Sequence, residues 1–275
     1  MKILSICLPT YNRSEKVIKQ LKFLLSEIKG LKIKNDIEII ISDNCSLESH
    51  QVALDEAVKN VKNNGFDITY NKNISNVGLI GNLKILSELS TGEYIWFVGD
   101  DDKLYPGILS SLENSISNNK GMIFINHEGT DEKGEVILQQ AFKHDEHNDL
   151  FDVFRHSKTS MMFITACVYK REIVAPLFKN ENERLTIPLF LSFKCEEVSG
   201  VSFVKDVLIE NKRGDISWRE DARVVFYYNV PMELIKIVGF SKKKHKALFI
   251  LFQYIFSIFS RAFYKLFNAL INKFR

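Results

Sequence analysis

Tyr94-Ile95-Trp96-Phe97-Val98-Gly99-Asp100-Asp101-Asp102 joins five apolar residues to three consecutive aspartates through one glycine. The apolar run predicts a buried strand, because strands enclosed on both faces read as continuous hydrophobic stretches. The aspartates then stand at its carboxyl end. Three adjacent carboxylates repel one another, and a hard divalent cation such as Mg²⁺ or Mn²⁺, which takes oxygen ligands, offsets the repulsion. A solvated acidic turn opening a helix, with Pro106 near the first turn and the carboxylates facing the helix dipole, does so without a metal.

The stretch is one of a series. Residues 3–8 predict a strand, and 14–28 a helix with Ser14 as N-cap and Val17, Leu21, Leu24, Leu25 and Ile28 on one face. Strands follow at 37–42, 68–70 and 122–125, and helices at 49–62, 79–90 and 106–117. Gly129 to Gly134 reads as a hairpin turn. A short helix at 149–155, a strand at 163–169, a helix at 183–193 and a mixed strand at 201–209 complete the reading. The alternation predicts an α/β fold, a mostly parallel sheet with helices on both faces. Ligands bind such sheets beyond the carboxyl ends of the strands. Pro9-Thr10-Tyr11-Asn12-Arg13, Asp43-Asn44-Cys45-Ser46 and Gly99-Asp100-Asp101-Asp102 all follow strands and converge on that one rim.

The chain has 275 residues, enough for one large domain or a domain with an appendage. Cys7, Cys45, Cys167 and Cys195 have no zinc or disulfide spacing, which points to a reducing, cytoplasmic compartment. The run from Ile3 to Leu8 ends at Pro9, too short for a signal peptide. Net charge is +3, but unevenly spread. Residues 242–275 hold eight basic and no acidic side chains, leaving 29 basic against 34 acidic in the first 241.

Ser5 to Arg13, Ile39 to Ser46, Asn76-Val77-Gly78 and Thr91 to Asp102, in this order and spacing, resemble family 2 glycosyltransferases of the GT-A fold. Within these the chain resembles the abequosyltransferase-like group of bacterial surface polysaccharide synthesis. The resemblance covers about residues 1–130 and implies a GT-A domain over 1–240. Its nucleotide-sugar half would be 1–130 and its acceptor half 131–240. Pro9, Thr10, Tyr11, Asn12, Arg13, Asp43, Asn44 and Gly78 would hold the nucleotide, with Asp43 accepting from the base and Gly78 letting the backbone pass close. The family pattern, apolar–Asp–x–Asp–Asp, puts Gly99 at its first aspartate. By the resemblance Asp101 would be the principal ligand of Mg²⁺ or Mn²⁺, Asp100 would lie near the ribose, and Asp102 would support the metal site or face the acceptor. An inverting transfer needs a carboxylate base downstream, for which Glu183 is first choice and Glu181 second. An exposed acidic helix start explains both equally. Where relatives carry a metal-binding histidine, this chain offers only Asn211, Asp215 or, for the diphosphate, Arg213. His144 and His147 have a metal-like spacing but read as surface residues.

In 241–275, Phe249, Phe252, Phe256, Phe259, Phe263 and Phe267 recur at helical spacing beside the cluster Lys242-Lys243-Lys244-His245-Lys246. The pattern predicts a basic amphipathic tail on an anionic membrane. Packing on the body or a partner subunit, or a tilted span, are the alternatives. The whole reads as a metal-dependent transferase moving a sugar from a nucleotide diphosphate donor to a lipid-linked saccharide at the inner membrane face, with no nucleic-acid partner. Two rivals are a nucleotidyltransferase, which needs a glycine-rich, lysine-bearing loop that Pro9 to Arg13 is not, and an inactive sugar-nucleotide-binding membrane scaffold.

Overall fold

β1 (Leu4–Thr10) and β2 (Ile37–Asp43) lie parallel and in register, Leu4 opposite Ile37 and Thr10 opposite Asp43. Both are buried along nearly their whole length, as strands covered on two faces must be. They form the centre of a computed structural model that describes residues 2–143, 149–180, 184–212 and 221–273. β3 (Ile68–Lys72) continues the parallel sheet beyond β2, and β4 (Tyr94–Phe97) flanks β1 on the other side. Helices α1 (Ser14–Ile28), α2 (Glu48–Asn63) and α3 (Gly78–Leu89) connect these strands.

The second half adds β5 (Lys103–Leu104), α4 (Ile108–Ile116), β6 (Met122–Thr130), β7 (Val136–Leu138) and α5 (Leu150–Ser157). Then come β8 (Cys167–Lys170), α6 (Arg171–Asn180), α7 (Ile187–Ser199) and β9 (Val201–Lys212). The sheet order is β3-β2-β1-β4-β8-β6-β9-β5, with β7 paired to β6 across the anticipated hairpin. The sheet is parallel as far as β4 and mixed beyond it, since β8 runs antiparallel to both β4 and β6.

The Thr91-Gly92 pair has a structural task. The buried Glu38 carboxylate accepts from Ser5 Oγ (2.6 Å), Thr91 N–H (2.6 Å) and Gly92 N–H (3.2 Å), tying β1 and β2 to the approach of β4. A Cβ at position 92 would stand 2.7 Å from the Ser5 backbone nitrogen, so glycine is required there.

Several expectations need correction. Arg13, not Ser14, occupies the α1 N-cap position, and the Ser14 hydroxyl instead meets His50 Nδ1 at 2.8 Å. The strand expected at 163–169 begins only at Cys167; Ile164–Ala166 form a 3₁₀ turn, because the Thr165 carbonyl accepts the Trp96 indole N–H at 2.8 Å. The helix expected from 183 begins at Ile187, with Pro188 in its first turn. Helix α6 was not anticipated. Nor were α8 (Ala222–Val224), the π-helical turn Val225–Asn229 and α9 (Val230–Phe240).

The tail is one helix, α10 (Lys244–Lys273). Its first turns dock on the body through buried Ala247, Ile250 and Tyr254, whose hydroxyl donates to the Phe226 carbonyl at 3.0 Å. Lys243 and Lys246 both donate to Asp149 (3.0 and 2.8 Å), holding its carboxyl down at about 2 although burial alone would raise it. Phe252, Phe256 and Phe259 face away from the body, each 67–75% exposed, while the half-exposed ring of Phe249 lies under the Arg155 guanidinium of α5, 5.5 Å from its centroid. Among the described residues, no helix is long and apolar enough to cross a membrane.

Candidate active site

β1, β2 and β4 are adjacent and parallel, so their carboxyl ends form one rim, as the sequence implied. On it the Thr10 hydroxyl donates to Asp100 Oδ2 at 2.9 Å. Arg13 Nη1 lies between two carboxylates, 3.1 Å from Asp100 Oδ1 and 3.0 Å from Asp101 Oδ2, and Lys16 Nζ stands 3.8 Å from Asp101. The turn after β1 and the triplet after β4 are thus stitched together by charge.

The three aspartates differ in environment. Asp100 is buried with both oxygens engaged; burial raises its pKa, against Thr10 and Arg13. Asp101 keeps 45% of its side chain exposed. Asp102 is enclosed and accepts from the Thr165 hydroxyl. Burial pushes its carboxyl up to about 7, with the Thr165 bond opposing and the charges of Asp101 and Asp100 adding. Arg13 is raised, because the two carboxylates outweigh its own partial burial.

The turns after β1 and β2 interlock. Asn12 takes a left-handed conformation (φ 54°), which asparagine tolerates. Its backbone N–H donates to Ser46 Oγ at 2.7 Å and its Oδ1 accepts from Leu47 N–H at 2.8 Å. Asp43 is fully buried, accepting from the Ser46 N–H at 3.0 Å and the Tyr70 hydroxyl at 3.1 Å. Burial raises the Tyr70 pKa and Asp43 raises it further, so the phenol stays a donor. Tyr11 is 47% exposed on the lip, while Pro9 stays within β1.

A fourth rim segment follows β3; the sequence pointed to it only at Asn76-Val77-Gly78 and not at Asn71 or Asn73. Asn44 accepts from Val77 N–H (2.9 Å) and Asn73 Nδ2 (3.2 Å), and donates to Asn76 Oδ1 (2.8 Å) and the Gly78 carbonyl (3.2 Å). Asn73 also donates to Asn82 Oδ1 at 3.0 Å. The signal was the density of asparagine in Asn71 to Asn76, a polar cluster at a strand end like the other three. Gly78, the first residue of α3, has a positive φ of 72° and no protein atom beyond its chain neighbours within 4 Å of where a Cβ would stand. Thr165 was also missed, since it lies in the turn read as strand.

Among the described residues no three His, Cys, Asp or Glu side chains surround a common point. The donor set nevertheless fits a divalent ion bound as Mg²⁺ commonly is, through one or two carboxylates with substrate phosphates and water completing the shell. Asp101, exposed and beside the rim, is the carboxylate placed for that. Asn211 lies in β9 opposite Gly129. Glu181, Glu183, His144, His147, Arg213 and Asp215 lie outside the described residues.

Residues 5–178 match the family model "Glycosyl transferase family 2". The chain belongs to that family. It is similar to the abequosyltransferase RfbV of Salmonella typhimurium, 37% identical over 112 residues, covering 40% of this chain and 32% of that protein. A second relative is the GalNAc(5)-diNAcBac-PP-undecaprenol beta-1,3-glucosyltransferase of Campylobacter jejuni, 31% identical over 125 residues, covering 45% of this chain and 37% of that one. The chain thus spans about a third of the length of these two curated relatives. Among solved structures, S. aureus TarS 1–349 in complex with UDP-GlcNAc superposes with a TM-score of 0.68 at 18% identity, over 93% of this chain and 72% of that one. That likeness establishes the GT-A fold.

Proposed function

We propose that this chain is a metal-dependent, inverting glycosyltransferase that moves a sugar from a nucleotide diphosphate donor to a lipid-linked saccharide in bacterial surface polysaccharide synthesis. The observation that carries the reading is the rim itself. The turns around Asp43 and Asn44 interlock through hydrogen bonds, which supports assigning the nucleotide base to them, and Asp101 stands exposed on the same rim after β4. The TarS complex supports the donor class, and the Campylobacter relative, named for an undecaprenol-linked substrate, supports the acceptor class.

In the transfer, an acceptor hydroxyl attacks the anomeric carbon and the bond to the diphosphate breaks. The base takes the hydroxyl proton; Glu183 is our first assignment and Glu181 the second. Tyr11 and Asp43 fix the base of the nucleotide, and Asp100 holds the rim through Thr10 and Arg13. Asp101, supported by Asp102, would hold Mg²⁺ or Mn²⁺. The chemistry such an ion supplies is neutralisation of the departing diphosphate. Glu183→Gln is expected to spare donor binding and slow transfer by about 10²–10⁴-fold, the usual range for losing a general base. If Glu181→Gln does this instead, the order of the two is reversed.

The membrane reading rests on the outward phenylalanines more than on the lysines. Lys242, Lys243 and Lys246 all face carboxylates of the body, which leaves less charge for anionic lipid than the sequence suggested. Phe252→Ser/Phe256→Ser is expected to cut co-sedimentation with phosphatidylglycerol vesicles at least 30-fold, since each buried aromatic contributes about 2 kcal/mol. Wild-type retention by that variant would refute contact through this face, on the inner side of the cell membrane or elsewhere.

The test of the whole reading is a panel of nucleotide diphosphate sugars, with and without Mn²⁺, read by thermal shift and by hydrolysis. One donor should stabilise the protein in a Mn²⁺-dependent way. No response to any donor would overturn the proposal.

A further inference from the structure

Gly99 stands where the family pattern has its first aspartate. A Cβ built there falls on the carboxylate of Asp102, 3.0 Å from its Cγ, and 3.4 Å from Oγ1 of Thr165. The space a side chain at 99 would need is therefore filled by Asp102, three residues further along. Thr165 holds it there. Its hydroxyl donates to Asp102 Oδ2 and accepts the Gly99 N–H at 2.9 Å. Its carbonyl accepts the indole N–H of Trp96 at 2.8 Å. Thr165 and Trp96 are fully buried, so these bonds are not shared with bulk water. The side chain and the carbonyl of one threonine thus bind β4 at Trp96, the glycine that follows it at Gly99, and the triplet at Asp102.

We infer that Thr165 is a positioning residue for the acidic triplet. It locks the Asp102 carboxylate into the volume of the missing side chain at 99, so that Asp102 supplies the carboxylate that the family pattern places three residues earlier. The inference rests on the donor-site reading above. It explains why the motif is displaced without being lost. A residue-99 side chain and the observed Asp102 conformation exclude each other, so glycine at 99 and threonine at 165 are two halves of one arrangement. If Thr165 only filled a buried turn, its hydroxyl would matter for stability and not for cation binding.

The test measures Mn²⁺ affinity by electron paramagnetic resonance of the free ion. It uses the full chain with each of UDP, dTDP, CDP and GDP, and thermal melting as the control on folding. Thr165→Val keeps the shape and removes the hydroxyl, and is expected to weaken Mn²⁺ binding about 10-fold or more, as loss of an outer hydrogen bond to a ligand does. Thr165→Ser keeps the hydroxyl and should bind like the wild type. Gly99→Ala pushes the flexible carboxylate out of its place and should match the Thr165→Val loss. The double variant Gly99→Ala/Thr165→Val should be no worse than either, because both undo the same hydrogen bond. Unchanged Mn²⁺ affinity in Thr165→Val, an equal loss in Thr165→Ser, or additive losses in the double variant would overturn the inference. A wild-type chain that takes up no Mn²⁺ with any of the four nucleotides would overturn the donor-site reading itself, and the role of Thr165 with it.

Discussion

Asp101→Asn will lower cation-dependent sugar transfer by about 10³-fold while leaving the fold in place, a loss of the size seen when one preorganised electrostatic contact to developing charge is removed. The substitution keeps the shape and removes the negative charge. The fold should tolerate it, because Asp101 is half exposed and its ion pairs with Arg13 and Lys16 lie in solvent, where such pairs contribute about 0–1 kcal/mol. Melting temperature should therefore barely move. Nucleotide binding in EDTA should also persist, since the side chains of Asp43, Asn44 and Asn12 are held by the backbone N–H groups of Ser46, Val77 and Leu47 and not by Asp101. The comparison with Asp100→Asn sharpens the assignment. Asp100 is buried and holds Thr10 and Arg13, so its loss should destabilise the rim and weaken nucleotide binding with or without metal. Equal transfer rates in Asp101→Asn and wild type would remove Asp101 from the cation site.

How much of this was legible follows from which forces act locally. β1, β2 and β4 could be read because residues such as Ile39, Ile40 and Ile41 are buried on both faces, and that leaves a continuous apolar run in the sequence. Their carboxyl ends, and hence the rim, came with them. The second half resisted because its strands owe their limits to distant partners. Thr165 leaves the strand it seemed to start because Trp96 and Gly99, more than sixty residues away, claim its polar groups. Helix α6 carries Pro176 inside it, which reads as a break, yet it packs on the body through buried Val174 and Phe178. The tail was legible in part. Its phenylalanines do form a stripe, but the face that docks on the body is the alternate one, Ala247, Ile250 and Tyr254. A helix apolar on two sides gives a period that does not tell which side is inside.

Asn44→Ala carries the second large effect, and it acts on stability and binding together. Asn44 is buried and uses its side-chain oxygen and nitrogen twice each, on Val77, Asn73, Asn76 and Gly78. Truncation removes four part-buried hydrogen bonds at once, each contributing about 0.5–1.5 kcal/mol net. A total near 3 kcal/mol should lower the melting temperature by roughly 6–12 °C in a chain of this size. The segment from Asn73 to Gly78 then loses its anchor to the end of β2, and nucleotide affinity should fall about 100-fold, or close to 3 kcal/mol. Asn44→Asp separates the two consequences of the side chain. It keeps an oxygen for Val77 but has no N–H for Asn76 or Gly78, so it should recover part of the stability and little of the affinity. Calorimetric titration of the cognate nucleotide into both variants makes the comparison. Wild-type affinity in Asn44→Ala, alongside the lowered melting temperature, would mean that the segment after β3 braces the fold without forming a wall of the donor site.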